Sequence, residues 1–406
     1  MVNGYRITDI GKIPCDWEIK KLRDCTKKNL TYGINAPSVN YDSKLPQYIR
    51  ITDITDDGYY NETNRVSVDN EDADRYVVHE GDILLARTGA STGKSYLYRV
   101  EDGRLVYAGF LISASIDRDK ADERFIFAQL HTERYWKWVE STSQRSGQPG
   151  INGKEYGEYL LAFPKKAEQT SIANAISDIE NLISTQEALI AKKQAIKQGA
   201  MQELLTGKRR LAGFVDKWCR HKLENVVDFC TSSVRLKDID VKEYIGTDNM
   251  LSNLGGVKDN ELCLQYSTVR EYKKKDILIS NIRPYLQKAW FANRHGGCSN
   301  DVLVFRSKDE RKYMPLFLYF LLTDGRFFDY ATETATGSKM PRGDKEMIKV
   351  YELYLPDKIE EQQAIADTLD DMSADIANQQ AKLEKLRRIK SGMMDKLLTG
   401  KIRLTD

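Results

Sequence analysis

The strongest constraint on this chain is that it carries one long segment twice. Leu204-Leu205-Thr206-Gly207-Lys208 returns as Leu397-Leu398-Thr399-Gly400-Lys401, 193 residues later. At the same offset Glu168-Gln169 matches Glu361-Gln362, Ile172-Ala173 matches Ile365-Ala366, and Gly199 matches Gly392. Upstream the likeness loosens. Gly81-Asp82-Ile83-Leu84-Leu85 resembles Lys275-Asp276-Ile277-Leu278-Ile279, and Trp17 with Leu22 echoes Trp218 with Leu223, at drifting offsets. An internal repeat outranks local pattern as a guide to architecture. Each copy is a variable globular part followed by a closely matching tail.

The tails read as helices. Between Glu168 and Leu205 there is no proline and one glycine, Gly199. Apolar residues fall at Ile172, Ile176, Ile179 and Ile183, then at Ile190 after a polar Gln186; the second tail places Ile365, Leu369, Met372, Ile376 and Leu383 at the same steps, with Gln379 aligned to Gln186. Alternating steps of four and three make a heptad seam. Both tails then slip phase by a three-residue step, Leu383–Leu386–Ile389 in the second. Each ends at Thr-Gly, a glycine suited to the left-handed position after a helix. Residues 168–205 would span about 57 Å as a helix, and antiparallel pairing of the two would hold the globular parts at opposite ends of a rod. Gly199 and Gly392 mark either a close helix crossing or fraying. The basic end of the second tail (Lys382, Lys385, Arg387, Arg388, Lys390, Lys396) reads as a solvated face suited to the helix dipole or as a surface for an acidic partner.

The globular parts mix short strands with turns and helices. Tyr48–Ile51 is strand-like and Asp57-Gly58 a tight turn. Asp82–Ala86 is a strand opening into the glycine-rich loop Arg87–Lys94, and helical patterning returns over Phe125–Val139. The second part repeats this with strands at Asp276–Ser280 and Val302–Phe305 and a helix over Met314–Asp324. The expected class is α+β: two mixed α/β domains in tandem (1–167 and 208–360), each followed by a long helix (168–207 and 361–406), the helices pairing as an antiparallel coiled coil.

With 62 basic and 60 acidic residues the net charge is +2, so charge alone does not announce nucleic acid. A charged fraction of 30% beside 10% aromatics indicates solvated surfaces over packed cores. The six cysteines (Cys15, Cys25, Cys219, Cys230, Cys263, Cys298) show no C-x-x-C pair, which fits reduced thiols in a cytoplasmic protein. Neither a signal-type apolar run nor a membrane-length segment is expected.

Catalytic patterns are missing. Gly89-Ala90-Ser91-Thr92-Gly93-Lys94-Ser95 resembles a phosphate-binding loop but has three residues between its glycines where the motif needs four. Asn281-Ile282-Arg283-Pro284-Tyr285 distantly resembles the Asn-Pro-Pro-Tyr grip of adenine methyltransferases, with no cofactor loop beside it. The four histidines have no metal-ligand spacing with the cysteines.

Together these features resemble the specificity subunits of type I restriction–modification systems. The resemblance is carried by Ile7-Thr8-Asp9-Ile10-Gly11-Lys12-Ile13-Pro14…Asp16-Trp17, its echo Phe214…Trp218…Leu223, Gly81–Leu84 leading to Arg87-Thr88-Gly89, and the twin Glu-Gln-x-x-Ile-Ala … Leu-Leu-Thr-Gly-Lys tails. It spans essentially the whole chain. It implies two target-recognition domains reading the halves of a split double-stranded DNA site, and helices docking methyltransferase subunits and, through them, restriction subunits. It also implies no catalysis by this chain, with S-adenosylmethionine, ATP and magnesium carried by the partners. The second part departs from the pattern where Asn281-Ile282-Arg283-Pro284 replaces Arg-Thr-Gly.

The expected DNA-contacting residues are Arg87, Thr88, Gly89, Ser91, Thr92 and Lys94 with Ser143, Gln144, Arg145 and Gln148 in the first part. In the second they are Asn281, Arg283 and Tyr285 with Ser338, Lys339 and Arg342. Expected helix-packing or partner positions are the seam residues named above together with Gly199 and Gly392. Two other readings stand beside this one: a coiled-coil adaptor for proteins, and a diverged methyltransferase or nuclease component.

Overall fold

The computed structural model describes residues 4–144, 148–259, 268–337 and 339–405. Its compact units do not follow the linear order of the repeats. One comprises Met1–Thr185 and Leu383–Asp406, the other Gln186–Lys382.

The first unit is built on an antiparallel sheet in the order Thr31–Tyr32, Leu111–Ser115, Asp82–Ala86, Ser95–Leu97. Asp82–Ala86 is buried throughout, as the continuous apolar run Ile83–Ala86 in a central strand should be. A second sheet runs Leu105–Tyr107, Gln47–Ile49, Val66–Ser67, Val39–Asn40, its first pair parallel. The helical stretch expected over Phe125–Val139 is two helices, Glu123–Gln129 and Glu133–Ser143. They are separated because the Asp122 carboxylate caps the first and the Thr132 hydroxyl caps the second. Glu18–Lys21 pairs with Leu160–Phe163, and the latter leads the chain into its long helix.

In the second unit the corresponding sheet runs Val227–Phe229, Val302–Ser307, Ile277–Ser280, Ala289–Phe291, again antiparallel. Trp218–Lys222 pairs with Glu352–Pro356, the counterpart of the Glu18–Lys21 pair. The remaining sheet has another order, Ser233–Arg235, Thr268–Tyr272, Gly296–Cys298, Tyr244–Ile245. The units therefore share a frame and differ in the sheet laid against it.

Both tails are single helices, Lys166–Leu204 and Ile359–Leu397. They pair antiparallel. The Gln186 side-chain N–H donates to Gln379 Oε1 at 3.0 Å and Lys193 reaches Asp375 at 2.5 Å, while in the first unit Lys390 reaches Glu180 at 2.9 Å. Rising numbers on one helix meet falling numbers on the other. Ile172, Ile176, Ile179, Ile190, Ile365, Leu369, Ile376 and Leu383 are buried, with Ile183 and Met372 half-buried. After the three-residue step the seam leaves the buried face: Ile196 and Ile389 are 53% and 41% exposed. The close crossing considered at Gly199 and Gly392 is not present. A Cβ at either glycine would meet nothing within 4 Å, because both face outward and the helix continues through them.

The invariant parts of the repeat have a common structural use. Glu168 is buried against the Trp17 indole N–H (3.1 Å) and accepts two bonds from Arg403 at 2.6 and 2.8 Å. Glu361 is buried against Trp218 in the same way and accepts two bonds from Arg210 at 2.5 and 2.6 Å. Each arginine also lies over its tryptophan ring, 5.6 and 5.7 Å from the centroids. Gln169 and Gln362 tie the helix starts to the Pro164 and Pro356 carbonyls at 2.9 Å. Gly207 and Gly400 take φ of 70° and 69°, and a Cβ there would press on Trp218 or on Pro14. The arginine following each tail thus clasps the tryptophan of the other repeat: Arg210 ends the first repeat and serves the second unit, and Arg403 the reverse.

Among the described residues no group of His, Cys, Asp and Glu could hold a metal ion, and no helix is long and apolar enough to cross a membrane. Cys15, Cys25, Cys219, Cys230 and Cys298 are free thiols; Cys263 lies outside the described residues.

Candidate nucleic-acid interface

In the first unit the buried strand Asp82–Ala86 ends at Arg87, and the chain turns through a 3-10 turn at Gly89–Ser91 into Ser95–Leu97. The turn is closed by the segment that precedes the last strand. The Gly89 N–H donates to the Pro149 carbonyl at 3.0 Å, Thr88 pairs with Gly150, and the Ile151 N–H donates to the Arg87 carbonyl at 2.9 Å. The turn at 87–94 and the segment from Gln148 to Ile151 therefore lie against each other. Arg87 is half-buried with its guanidinium 4.8 Å from the Tyr32 ring centroid. Gln148 lies over Gly89, its amide nitrogen 3.0 Å from where a Cβ would stand.

Not every expected residue is free to meet a ligand. The Thr92 hydroxyl donates to the Gly89 carbonyl at 2.8 Å, and Lys94 pairs with Asp56 at 2.7 Å. Lys94 holds that carboxylate below its usual range through their hydrogen bond. Ser143 is buried and its carbonyl accepts from the Gly150 N–H. Ser91 is half-buried and Gln144 exposed. Arg145, with Ser146 and Gly147, lies outside the described residues.

The second unit builds the same turn. Ile277–Ser280 ends at Asn281, a 3-10 turn spans Pro284–Leu286, and Ala289–Phe291 returns. The Arg283 N–H donates to Pro341 at 2.8 Å, Ile282 pairs with Arg342, and the Gly343 N–H donates to Asn281 at 3.0 Å. Pro341 thus stands where Pro149 does. Asn281 is buried, and its side-chain oxygen has no partner among the described residues. Arg283 and Lys339 are exposed, Tyr285 is 54% exposed, and Arg342 reaches Asp301 at 3.1 Å. Ser338 lies outside the described residues.

Some residues at these surfaces escape a reading of the chain alone. Tyr32 and Phe110 are 41% and 58% exposed beside Arg87: Tyr32 lies under its guanidinium, and the Phe110 carbonyl accepts its N–H. Asn253 and Leu254 donate their N–H groups to Leu286 and Gln287 at 2.9 Å, bracing the second turn. Only chain reversal brings these segments together, and no local pattern marks them. What the surfaces offer is positive charge, amides, hydroxyls and exposed aromatic faces on a hydrogen-bonded turn, and among the described residues no group of His, Cys, Asp and Glu could hold a metal ion.

Comparison with known proteins agrees with this architecture. The model of the type I restriction modification DNA specificity domain matches twice, at residues 5–197 and 217–388. The MjaVIII type I restriction enzyme specificity subunit of Methanocaldococcus jannaschii is 24% identical, with 97% of this chain and 94% of that protein aligned. The EcoDI type I restriction enzyme specificity subunit of Escherichia coli is 21% identical over 89% of this chain and 84% of its own. In fold, the chain resembles the type I restriction-modification S subunit from M. genitalium (TM-score 0.60, 13% identity, 98% and 99% covered). It likewise resembles a chain from a structure of the assembled type I R-M system (TM-score 0.55, 14% identity, 96% and 99% covered). Two copies of the family domain, each completed by one of the matching tails, account for most of the 406 residues, and the chain belongs to the type I restriction modification DNA specificity family.

Proposed function

We propose that this chain is the DNA sequence-specificity subunit of a type I restriction–modification complex, reading a bipartite site with its two units and docking methyltransferase and restriction subunits. The observation that carries this reading is the turn at Arg87–Lys94 and its copy at Asn281–Lys288. Each is a rigid platform closed by a proline carbonyl and dressed with different side chains, as two readers of unlike half-sites require. Backbone contacts from lysine and arginine would set register, and side chains at base edges would set sequence. Catalysis then belongs to partner subunits, which would bring S-adenosylmethionine, ATP and magnesium. The paired helices, with Leu182, Leu189 and Ile196 exposed along one of them, would supply docking surface for the methyltransferase subunits.

The test is co-expression with a methyltransferase subunit of a type I system, followed by sequencing of methylated adenines in host DNA. One bipartite motif with a fixed gap is the expected result. A stable complex that methylates nothing would refute the proposal. Arg87→Ala and Arg283→Ala should each weaken DNA binding while the fold is retained. Unchanged affinity in both, at a fixed physiological salt concentration, would remove these loops from the interface.

A further inference from the structure

The two turns share most of their backbone hydrogen bonds and place left-handed residues at the same two positions, with different residues at each. In the first unit the left-handed positions are Gly89 (φ 72°) and Gly93 (φ 94°). Four residues apart in the second unit stand Arg283 (φ 50°) and Gln287 (φ 49°). Their hydrogen bonds correspond: Gly89 to Pro149 as Arg283 to Pro341, and Ala86 to Lys94 as Ser280 to Lys288. A left-handed backbone is free of steric cost for glycine and strained for residues with a Cβ. The first unit takes the unstrained solution at both places and the second at neither.

Arg283 is exposed and Gln287 half-buried, and among the described residues no hydrogen bond or ion pair engages either side chain. Two polar neighbours are committed, Lys288 to the Thr247 carbonyl at 2.7 Å and Arg342 to Asp301 at 3.1 Å. The turn is braced from behind by Asn253 and Leu254, which are themselves left-handed (φ 54° and 58°) and whose N–H groups hold the Leu286 and Gln287 carbonyls. Strain retained by surrounding structure is concentrated where function demands it. In the first unit the space above the equivalent glycine is filled instead by the Gln148 amide, 3.0 Å from a Cβ position on Gly89.

We infer that Arg283 and Gln287 are the base-reading pair of the second unit, Arg283 taking the major-groove edge of a guanine and Gln287 that of an adenine. The inference rests on the DNA-specificity reading above and goes past it to the residues and bases. The chemistry follows from the side chains. A guanidinium donates two parallel bonds to guanine O6 and N7, and a carboxamide donates to and accepts from adenine N6 and N7. A fixed turn makes such geometry selective, since little ordering remains to be done on binding.

The experiment selects duplexes from a randomised DNA library with the complex of this chain and a methyltransferase subunit, comparing wild type, Arg283→Gly and Gln287→Gly. Glycine fits the left-handed backbone, so both variants should fold with unfolding midpoints at or above wild type. The selected consensus should keep one half-site intact. In the other, Arg283→Gly should lose preference at one guanine and Gln287→Gly at one adenine, each by roughly 5- to 150-fold. An unchanged consensus from both folded variants would overturn the inference. So would uniform loss of binding without a change in preference, which marks phosphate contacts. A wild-type complex that selects no consensus would instead sink the specificity reading, and this inference with it.

Discussion

Arg210→Ala should be among the most damaging single substitutions in this chain. Glu361 is fully buried and receives both Arg210 bonds, at 2.5 and 2.6 Å, with the longer Trp218 bond (3.4 Å) its one other side-chain donor among the described residues. Removing the guanidinium leaves a carboxylate inside the core with one weak donor. Breaking a buried pair from one side costs about 3–5 kcal/mol, because the remaining charge is uncompensated. Removing both charges while keeping their volume is close to neutral. The double variant Arg210→Met with Glu361→Leu should therefore recover all but about 1 kcal/mol. Urea unfolding followed by tryptophan fluorescence is the assay, since Trp218 is part of the clasp. At an m-value of about 2 kcal/mol/M, the single variant should lower the second unit's midpoint by roughly 1.5–2.5 M. A loss below about 1 kcal/mol, or a double variant as damaged as the single, would refute the buried-charge argument.

The glycines of the tails divide into two kinds. Gly207→Ala and Gly400→Ala should each cost at least about 1–2 kcal/mol from the left-handed backbone alone, whereas Gly199→Ala and Gly392→Ala, in open helical positions, should each stabilise by up to about 1 kcal/mol. Thermal unfolding would read both signs. Gln186→Ala strips a part-buried hydrogen bond from the helix pair and should cost about 0.5–1.5 kcal/mol in urea unfolding, while Gln186→Leu with Gln379→Leu should cost less than the single change. Burial of the His131 ring against Phe127 lowers its pKa from 6.5, despite a bond from its Nδ1 to the Phe127 carbonyl. The folded state then binds fewer protons than the unfolded one. Stability present above pH 6.5 should fall as the pH drops toward the lowered value, and His131→Gln should flatten that slope between pH 7 and 5. Asp16, lowered by its hydrogen bonds to Arg403, adds a further loss only below its ordinary 3.8.

Much of the architecture was legible because it is written as periodicity and punctuation. The heptad seam with its glutamine, the Thr-Gly stops and the apolar run at Ile83–Ala86 are local signals, and local geometry reads them directly. The helical patterning around Phe125–Val139 resolves into two helices because the Thr132 cap lies inside it. Gly199 and Gly392 were ambiguous for a similar reason: a repeated glycine announces a constraint without saying what it faces. Of the expected contact residues, Thr92 and Lys94 are occupied within the protein, which no motif could reveal, since Asp56 is joined to Lys94 only by folding.

By itself the sequence determined that the chain is a tandem repeat, that its tails are long helices able to pair, and which residues of one copy correspond to which of the other. Correspondence at a fixed offset says that Arg210 and Arg403 do the same work; it does not say for whom. The tertiary structure decided that each serves the other repeat, since antiparallel helices carry the end of one tail to the start of its partner. The structure also decided that Gly89 and Arg283 are one position. A left-handed turn is a property of backbone hydrogen bonds, and two sequences that differ at both left-handed positions can satisfy it if one of them bears the strain.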